Sequence, residues 1–158
     1  MFLNGRLGLW VLIVIAGGCD RLSKYWAISK LSLGKSLPCL PSLLQWTLTH
    51  NTGAAFSLGA DQPGLLLLVS GILFLGILCF VFSQKQLTML ETFGYGLILG
   101  GAASNLWDRL FYGAVIDYID IVAVGFPIFN LADMLIFSGV VLVFSSFWRH
   151  RFQEHSSP

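Results

Sequence analysis

The chain has 158 residues, of which 56% are hydrophobic and 11% are charged, and its formal net charge is +1. Soluble domains carry about 25% charged residues, so these charges are too few to cover a surface that faces water. The sparse, scattered basic residues also exclude nucleic acid as a partner, because binding it requires a concentrated positive surface. The composition indicates an integral membrane protein of one domain.

The first predicted helix covers residues 7–27. Its uncharged part, residues 7–19, is too short to cross a bilayer, so the helix must continue through Asp20 and Lys24. These two side chains are four residues apart and share a helix face, either as a structural ion pair or as part of a site. A cleaved signal peptide is the alternative for this segment, but further membrane-length runs follow it, and we expect a retained helix.

Three more spans are predicted further along the chain. They cover residues 64–83, 92–112 and 130–148. Four spans place both termini on one side, and the basic residues near that side assign it to the cytoplasm. These residues are Arg6, Lys85, Arg149 and Arg151. We therefore predict an all-α membrane protein, a four-helix transmembrane bundle that forms a single domain over residues 1–158.

The two predicted extracytoplasmic loops, 28–63 and 113–129, each contain a segment with the alternation of a half-buried strand. These segments are 44–50 and 115–122. The prolines of the first loop, at 38, 41 and 63, are interpreted as breakers of regular structure. We predict a small extracytoplasmic β element on the helical bundle.

Five acidic residues lie at or near the outer ends of the predicted helices. They are Asp20, Asp108, Asp117, Asp120 and Asp133. Carboxylates at membrane depth are costly and mark functional sites, and their shared level at one boundary favours chemistry on a substrate at the membrane edge. Two such carboxylates can hold a water between them, one as base and one as acid, and hydrolyse a peptide without a metal or cofactor. The alternatives are a four-span ion or lipid transporter that uses the same acids, and a non-catalytic scaffold.

The third and fourth helices place polar residues at helical spacing. Gly101, Asn105, Asp108, Arg109 and Tyr112 form one stripe that we expect to face the bundle interior. Asn130 and Asp133 have the spacing of an N-cap and its third helical residue, so Asp133 serves a site only if it turns inward. Asp120 shares a face with Asp117 in a helix but lies on the opposite face in a strand.

Five motifs carry a resemblance to a known family. They are DRLSK at 20–24, NTGAAF at 51–56, GGAASNLWDR at 100–109, VIDY at 115–118 and FPIFNLAD at 126–133. In this order they resemble the motif series of bacterial lipoprotein signal peptidase, signal peptidase II. The resemblance implies an aspartyl endopeptidase of the bacterial inner membrane that cuts prolipoproteins just before a diacylglyceryl-modified cysteine. Its partners would be those substrates and membrane lipids, and we expect a monomer.

The same resemblance implies roles for particular residues. Asp117 and Asp133 would form the catalytic pair, supported by Asn51, Asn105, Arg109 and Asn130, while Asp20, Lys24, Gly101 and Asp108 also fall at motif positions. Chemistry adds two expectations. The Asn51 amide, or backbone N–H groups of residues 53–56, are candidates for stabilising an oxyanion. Arg109 is expected to hold either Asp108 or a lipid headgroup. Ser104 and Tyr118 depart from the family pattern, where Gly and Phe are commoner.

Overall fold

The computed structural model describes residues 5–53 and 62–155 and contains four long helices and one small sheet. The helices are α1 (Gly5–Lys30), α2 (Pro63–Ser83), α3 (Met89–Tyr112) and α4 (Leu131–His155). The strands are β1 (Ser36–Leu40), β2 (Leu44–Asn51) and β3 (Val115–Ile121), and a 3-10 turn, Val122–Val124, follows β3. The predicted helical architecture with a small sheet is confirmed.

Two helices in the described part of the chain are long and apolar enough to cross a membrane. They are Pro63–Ser83, with a mean hydropathy of 3.0, and Leu131–Arg151, with 1.9. The α2 surface is apolar and yet largely uncovered, since Leu68, Ile72 and Leu73 are all more than half exposed. Apolar side chains that face outward along a whole helix suit contact with lipid rather than water. The crossing of the membrane by α1 and α3 stays a prediction.

Helix α3 lies at the centre of the bundle and packs against the three other helices. Glycines allow the close approach: a Cβ on Gly100 would lie 2.6 Å from the Ala16 Cβ of α1, and one on Gly101 would lie 2.7 Å from the Ala132 carbonyl oxygen of α4. Small residues let helix backbones meet closely in membranes, where helix association depends on packing. The glycines of α3 therefore let this helix pack closely against both α1 and α4.

The three strands form an antiparallel sheet in the order β1-β2-β3. Both predicted strands are present, but β1 was not predicted. It contains Pro38, so the interpretation of that proline as a breaker is wrong. Because β1 is an edge strand, the missing N–H of Pro38 is tolerated there.

The sheet packs on the C-terminal half of α1 through aromatic rings. Trp46 of β2 and Tyr118 of β3 contact Trp26 of α1, with ring centroids 5.3 Å and 6.3 Å apart respectively. Next to β3, the chain that leads into α4 adds a short backbone pairing, in which Phe129 N–H donates to the Ile119 carbonyl at 3.0 Å and Ile119 N–H donates back at 2.8 Å. This pairing brings the start of α4 beside β3, where the site forms.

Candidate active site

Asp117 projects from β3 and is held by two amide side chains. Asn51, the last residue of β2, donates to Asp117 Oδ2 at 2.9 Å, and Asn130 donates to Oδ1 at 2.6 Å. The Asn51 carbonyl oxygen accepts the Gly53 N–H at 2.9 Å, which fixes the orientation of that amide. The side chain of Asp117, only 2% exposed, therefore has one settled orientation.

Asp133 is the third residue of α4 and takes part in a reciprocal cap. Its N–H donates to Asn130 Oδ1 at 3.0 Å, and the Asn130 N–H donates to Asp133 Oδ2 at 3.2 Å. The remaining oxygen, Oδ1, accepts from Asn105 Nδ2 at 2.9 Å. Asp133 thus caps the helix and also turns inward, so the capping interpretation is confirmed and the orientation that a role in a site requires is present. That role itself stays a prediction.

Asn130 links the two acids directly. Its carbonyl oxygen serves the cap of α4, so its NH₂ group is left to face Asp117. Asn105 is oriented in a similar way by Lys24, whose Nζ donates to Asn105 Oδ1 at 2.7 Å. A lysine offers only donors, so Asn105 must present its oxygen to Lys24 and its NH₂ group to Asp133. The amide of Asn105 therefore orients the Asp133 carboxylate, and the amide of Asn130 orients the Asp117 carboxylate.

A buried charge cluster lies beneath these amides. Lys24 Nζ is 2.8 Å from Asp20 Oδ2 and 2.7 Å from Asp108 Oδ2, and all three side chains are fully buried. Arg21, which is 29% exposed, also pairs with Asp108. The structural ion pair expected for Asp20 and Lys24 is present, as part of a four-charge network whose formal charges cancel.

The cluster also attaches to the two elements that carry Asp117 and Asp133. Asp20 Oδ1 accepts the Ala132 N–H in the first turn of α4 at 2.7 Å, where the helix dipole favours an anion. Asp108 Oδ2 accepts the Ile116 N–H of β3 at 3.2 Å. Asp20 and Asp108 therefore fix α4 and β3 relative to α1 and α3.

Asp117 and Asp133 line one cleft with a volume of about 390 Å³. Its polar end is formed by Asn51, Asn105, Arg109, Asp117 and Asp133. Its walls are apolar and consist of Val115, Phe126, Pro127, Ile128, Phe129, Ile136, Phe137 and Val140. Two carboxyl groups at the end of an apolar cleft can act on a polar bond within a largely apolar substrate.

Burial raises the pKa of Asp117 from 3.8 to about 7. The neighbouring carboxylate of Asp133 raises it further, while the hydrogen bonds from Asn51 and Asn130 and the charge of Lys24 lower it. A carboxyl group in this range exchanges its proton near neutral pH, as general acid–base chemistry requires.

Several expected contacts differ in the structure. In the described residues Arg109 makes no ion pair with Asp108, which binds Arg21 and Lys24 instead. The Asp108 alternative for Arg109 is therefore wrong, and the lipid-headgroup alternative stays a prediction. Tyr112 is 58% exposed, so its predicted inward orientation is wrong as well. The start of α4 is level with Gly101, and Tyr112 lies about 16 Å further along α3, beyond that helix.

The strand β3 settles which way Asp120 faces. Asp120 accepts from Gln45 at 2.6 Å and Thr47 at 3.0 Å, away from the partners of Asp117, so it belongs to the sheet. The Asn51 amide donates one of its two hydrogens to Asp117, and the second remains available to a substrate. The role predicted for this amide in stabilising an oxyanion is not tested. Of the backbone groups proposed for that role, residues 54–56 lie outside the described residues.

Sequence reasoning assigned no role to three residues that support the site. Arg21 completes the charge cluster, Ser104 donates to Asp20 Oδ2 at 2.6 Å, and the Tyr118 hydroxyl donates to Ser23 at 2.7 Å. Ser104 and Tyr118 were the positions at which this chain departs from the family pattern. That departure was the available signal, since each adds a hydroxyl that the commoner residue lacks.

The chain is similar to known proteins over most of its length. Residues 11–149 match the family model described as signal peptidase II. The lipoprotein signal peptidase of Nostoc punctiforme is 39% identical over 148 residues, 93% of each chain, and that of Trichormus variabilis is 38% identical over 157 residues, 94% of each. A solved bacterial membrane enzyme superposes with a TM-score of 0.84 at 25% identity, covering 95% of this chain and 93% of the other. A second such structure gives 0.77 at 27% identity, covering 88% and 91%.

Proposed function

This chain belongs to the signal peptidase II family, and on that premise we propose that it is an aspartic peptidase whose catalytic groups are Asp117 and Asp133. It cleaves the signal peptide from lipoprotein precursors. The observation that carries the proposal is the shared cleft: two carboxyl groups from different elements line it and are oriented by the same asparagine, Asn130.

The proposed reaction is attack by a water held between the two acids. One carboxylate removes a proton from the water while the other, protonated, donates to the carbonyl oxygen of the scissile peptide bond. The pair titrates as a unit, and the pKa of about 7 at Asp117 keeps one proton within it near neutral pH. As the C–N bond breaks, the carboxyl group that took the proton from the water gives it to the leaving nitrogen. The other carboxylate takes back a proton from one hydroxyl of the tetrahedral diol, so a carboxylic acid and an amine are released and the pair again holds one proton.

The supporting groups of the cleft hold this pair in place. Asn105 and Asn130 each donate to one of the acids, so these acids keep their positions when a proton moves between them. The Arg109 side chain lines the same polar end, and we assign it a role in binding a polar part of the substrate, such as a carbonyl or a lipid ester.

The walls of the cleft suit a substrate that arrives from the bilayer. Ile136, Phe137 and Val140 follow Asp133 on one face of α4, and Phe137 is 71% exposed. An apolar helical face that leads to the two acids can accept the apolar part of a signal peptide or the acyl chains of a diacylglyceryl-modified cysteine. We assign the cut to the bond before that cysteine.

We also propose the membrane arrangement. Four spans would place both termini in the cytoplasm and the sheet with its cleft near the extracytoplasmic face of a bacterial inner membrane. The support is that Arg6, Lys85, Arg149 and Arg151 all lie at the helix ends opposite the cleft. We also propose that the enzyme works as a monomer.

The test is cleavage of a diacylglyceryl-modified prolipoprotein by the purified full-length protein in lipid. Asp117→Asn and Asp133→Asn should each lower the cleavage rate by at least about a hundredfold, since positioned acid–base groups contribute about 10²–10⁴. Asp120→Asn is the matched control, because it removes the same charge from the same strand outside the cleft. We expect it to retain cleavage.

Thermal unfolding of each variant separates lost chemistry from lost folding. Near-parental cleavage by a folded Asp117→Asn or Asp133→Asn protein would refute the catalytic pair. Absence of cleavage by the folded parent protein, with ion or lipid flux that depends on the same acids, would instead favour the transporter.

A further inference from the structure

A second cavity, of about 250 Å³, lies at the end of the bundle opposite the catalytic cleft. It is enclosed by the start of α1, the end of α2 and the connection to α3. Its polar lining is Arg6, Gln84, Lys85 and Gln86, and its floor includes Leu9 and Val81, which are almost fully buried. We propose that this cavity binds the phosphate headgroup of an anionic phospholipid.

The charge of the lining favours an anion. Arg6 and Lys85 contribute two cations, no acidic residue lines the cavity, and neither cation forms an ion pair within residues 5–53 and 62–155. The acid that follows in the chain is Glu91, whose carboxylate accepts from the Thr88 N–H at 2.8 Å and from Ser146 at 3.3 Å. Glu91 is thus held by the cap of α3 and by its contact with α4, and it does not line the cavity.

The backbone of the connection adds further donors. The N–H groups of Lys85, Gln86 and Leu87 make no hydrogen bond within the described part of the chain. A run of free N–H groups next to two cations is the donor set that phosphate oxygens accept from in proteins. The residues that line the cavity therefore combine two cations with N–H groups that have no partner among the described residues.

The position of the cavity favours a lipid as the source of the phosphate. Helix α2 has no charged residue and ends at Ser83, so Lys85 follows the hydrophobic span at the level of the lipid headgroups. Trp10 and Phe82 flank this end with ring centroids 5.2 Å apart, and Trp10 is 46% exposed, as aromatic residues at membrane interfaces commonly are. The apolar floor suits the glycerol and the first acyl carbons. On the proposed topology this end faces the cytoplasm, where basic pockets bind anionic headgroups.

The test compares lipid binding by the full-length protein and three variants. Native mass spectrometry would count phosphatidylglycerol and phosphatidylcholine retained from equimolar mixed micelles. Arg6→Gln with Lys85→Gln removes both cations of the cavity. Arg149→Gln with Arg151→Gln is the matched control, because it removes two exposed cations at the same end of the bundle but outside the cavity.

We expect the parent protein and the control to prefer phosphatidylglycerol and the cavity variant to lose about tenfold of that preference. Gln86→Glu, which keeps both cations but adds an acid to the lining, should lower the preference in the same direction. Equal losses in the cavity variant and the control would refute the proposal, since the effect would then be general surface charge. Displacement of the lipid by inorganic phosphate at a similar concentration would also refute it, because the site would then recognise free phosphate.

Discussion

The buried carboxyl group of Asp117 makes a measurable prediction about stability and pH. Its pKa is about 7 in the folded protein and 3.8 in the unfolded chain, because burial disfavours the charged form. Between pH 3.8 and about pH 7, Asp117 has lost its proton in the unfolded chain but keeps it in the folded protein. The contribution of Asp117 to stability is therefore greatest below pH 3.8, falls as the pH rises, and levels off above about pH 7.

The size of this loss follows from the two pKa values. Each factor of ten in the acid constant is equivalent to about 1.4 kcal/mol, so the full loss is about 4 kcal/mol and the part between pH 5 and pH 8 is about 3 kcal/mol. Asp117→Asn has no proton to release and escapes the loss. Asn51 and Asn130 both donate hydrogen bonds to Asp117. The NH₂ group of the substituted Asn must therefore face another donor, and this loss of a hydrogen bond lowers the stability of the variant by about 1–3 kcal/mol at every pH.

We expect Asp117→Asn to be less stable than the parent protein at pH 5 and to match or exceed it at pH 8. At about 2–4 °C for each kcal/mol, its melting temperature relative to the parent should rise by about 6–12 °C across this range. The assay is thermal unfolding of both proteins in the same detergent at each pH, with Asp120→Asn as a control for losing one carboxylate from β3. Melting temperatures of parent and Asp117→Asn that shift in parallel with pH would refute the reasoning.

Three further predictions concern the groups that hold the site together. Lys24→Met should lower the unfolding free energy by about 3–5 kcal/mol, because it leaves two buried carboxylates without the cation that they share. Denaturant unfolding in detergent measures this loss, and a value below about 1 kcal/mol would contradict the prediction. Gly101→Ala should lower both melting temperature and cleavage rate, because its Cβ would press on the Ala132 carbonyl, whereas Gly76→Ala, which meets open space, should leave both unchanged. Tyr118→Phe should cost about 1 kcal/mol through one lost hydrogen bond and retain cleavage; loss of cleavage would show that this hydroxyl takes part in the reaction.

The sequence by itself determined the class of the protein and proposed the residues of the candidate site. The shortage of charge and the uncharged run at 64–83 indicate a membrane protein, because a lipid-facing surface needs no polar covering. Alternation of side chains along the chain identified β2 and β3, although the first four residues of β3 are buried on both faces. The ordered motifs indicated the family, and with it Asp117 and Asp133.

Contacts between distant parts of the chain could be decided only by the tertiary structure. The sequence offered Asp108 as one of two partners for Arg109, but α1 and α3 pack so that Arg21 reaches Asp108 instead. Pro38 made the edge strand β1 hard to predict, because proline lacks an N–H group. It fits a strand only at a position where no neighbouring strand needs that donor.

The same limit applies to Asp133. Its spacing from Asn130 determines a helix cap, because that hydrogen bonding is local and needs only four consecutive residues. Whether its other oxygen serves a site depends on Asn105, which lies 28 residues earlier on another helix. Local spacing determines what a residue can do within its own turn of helix, but the packing of helices and sheet decides which distant group it meets, and therefore whether two carboxylates share one cleft.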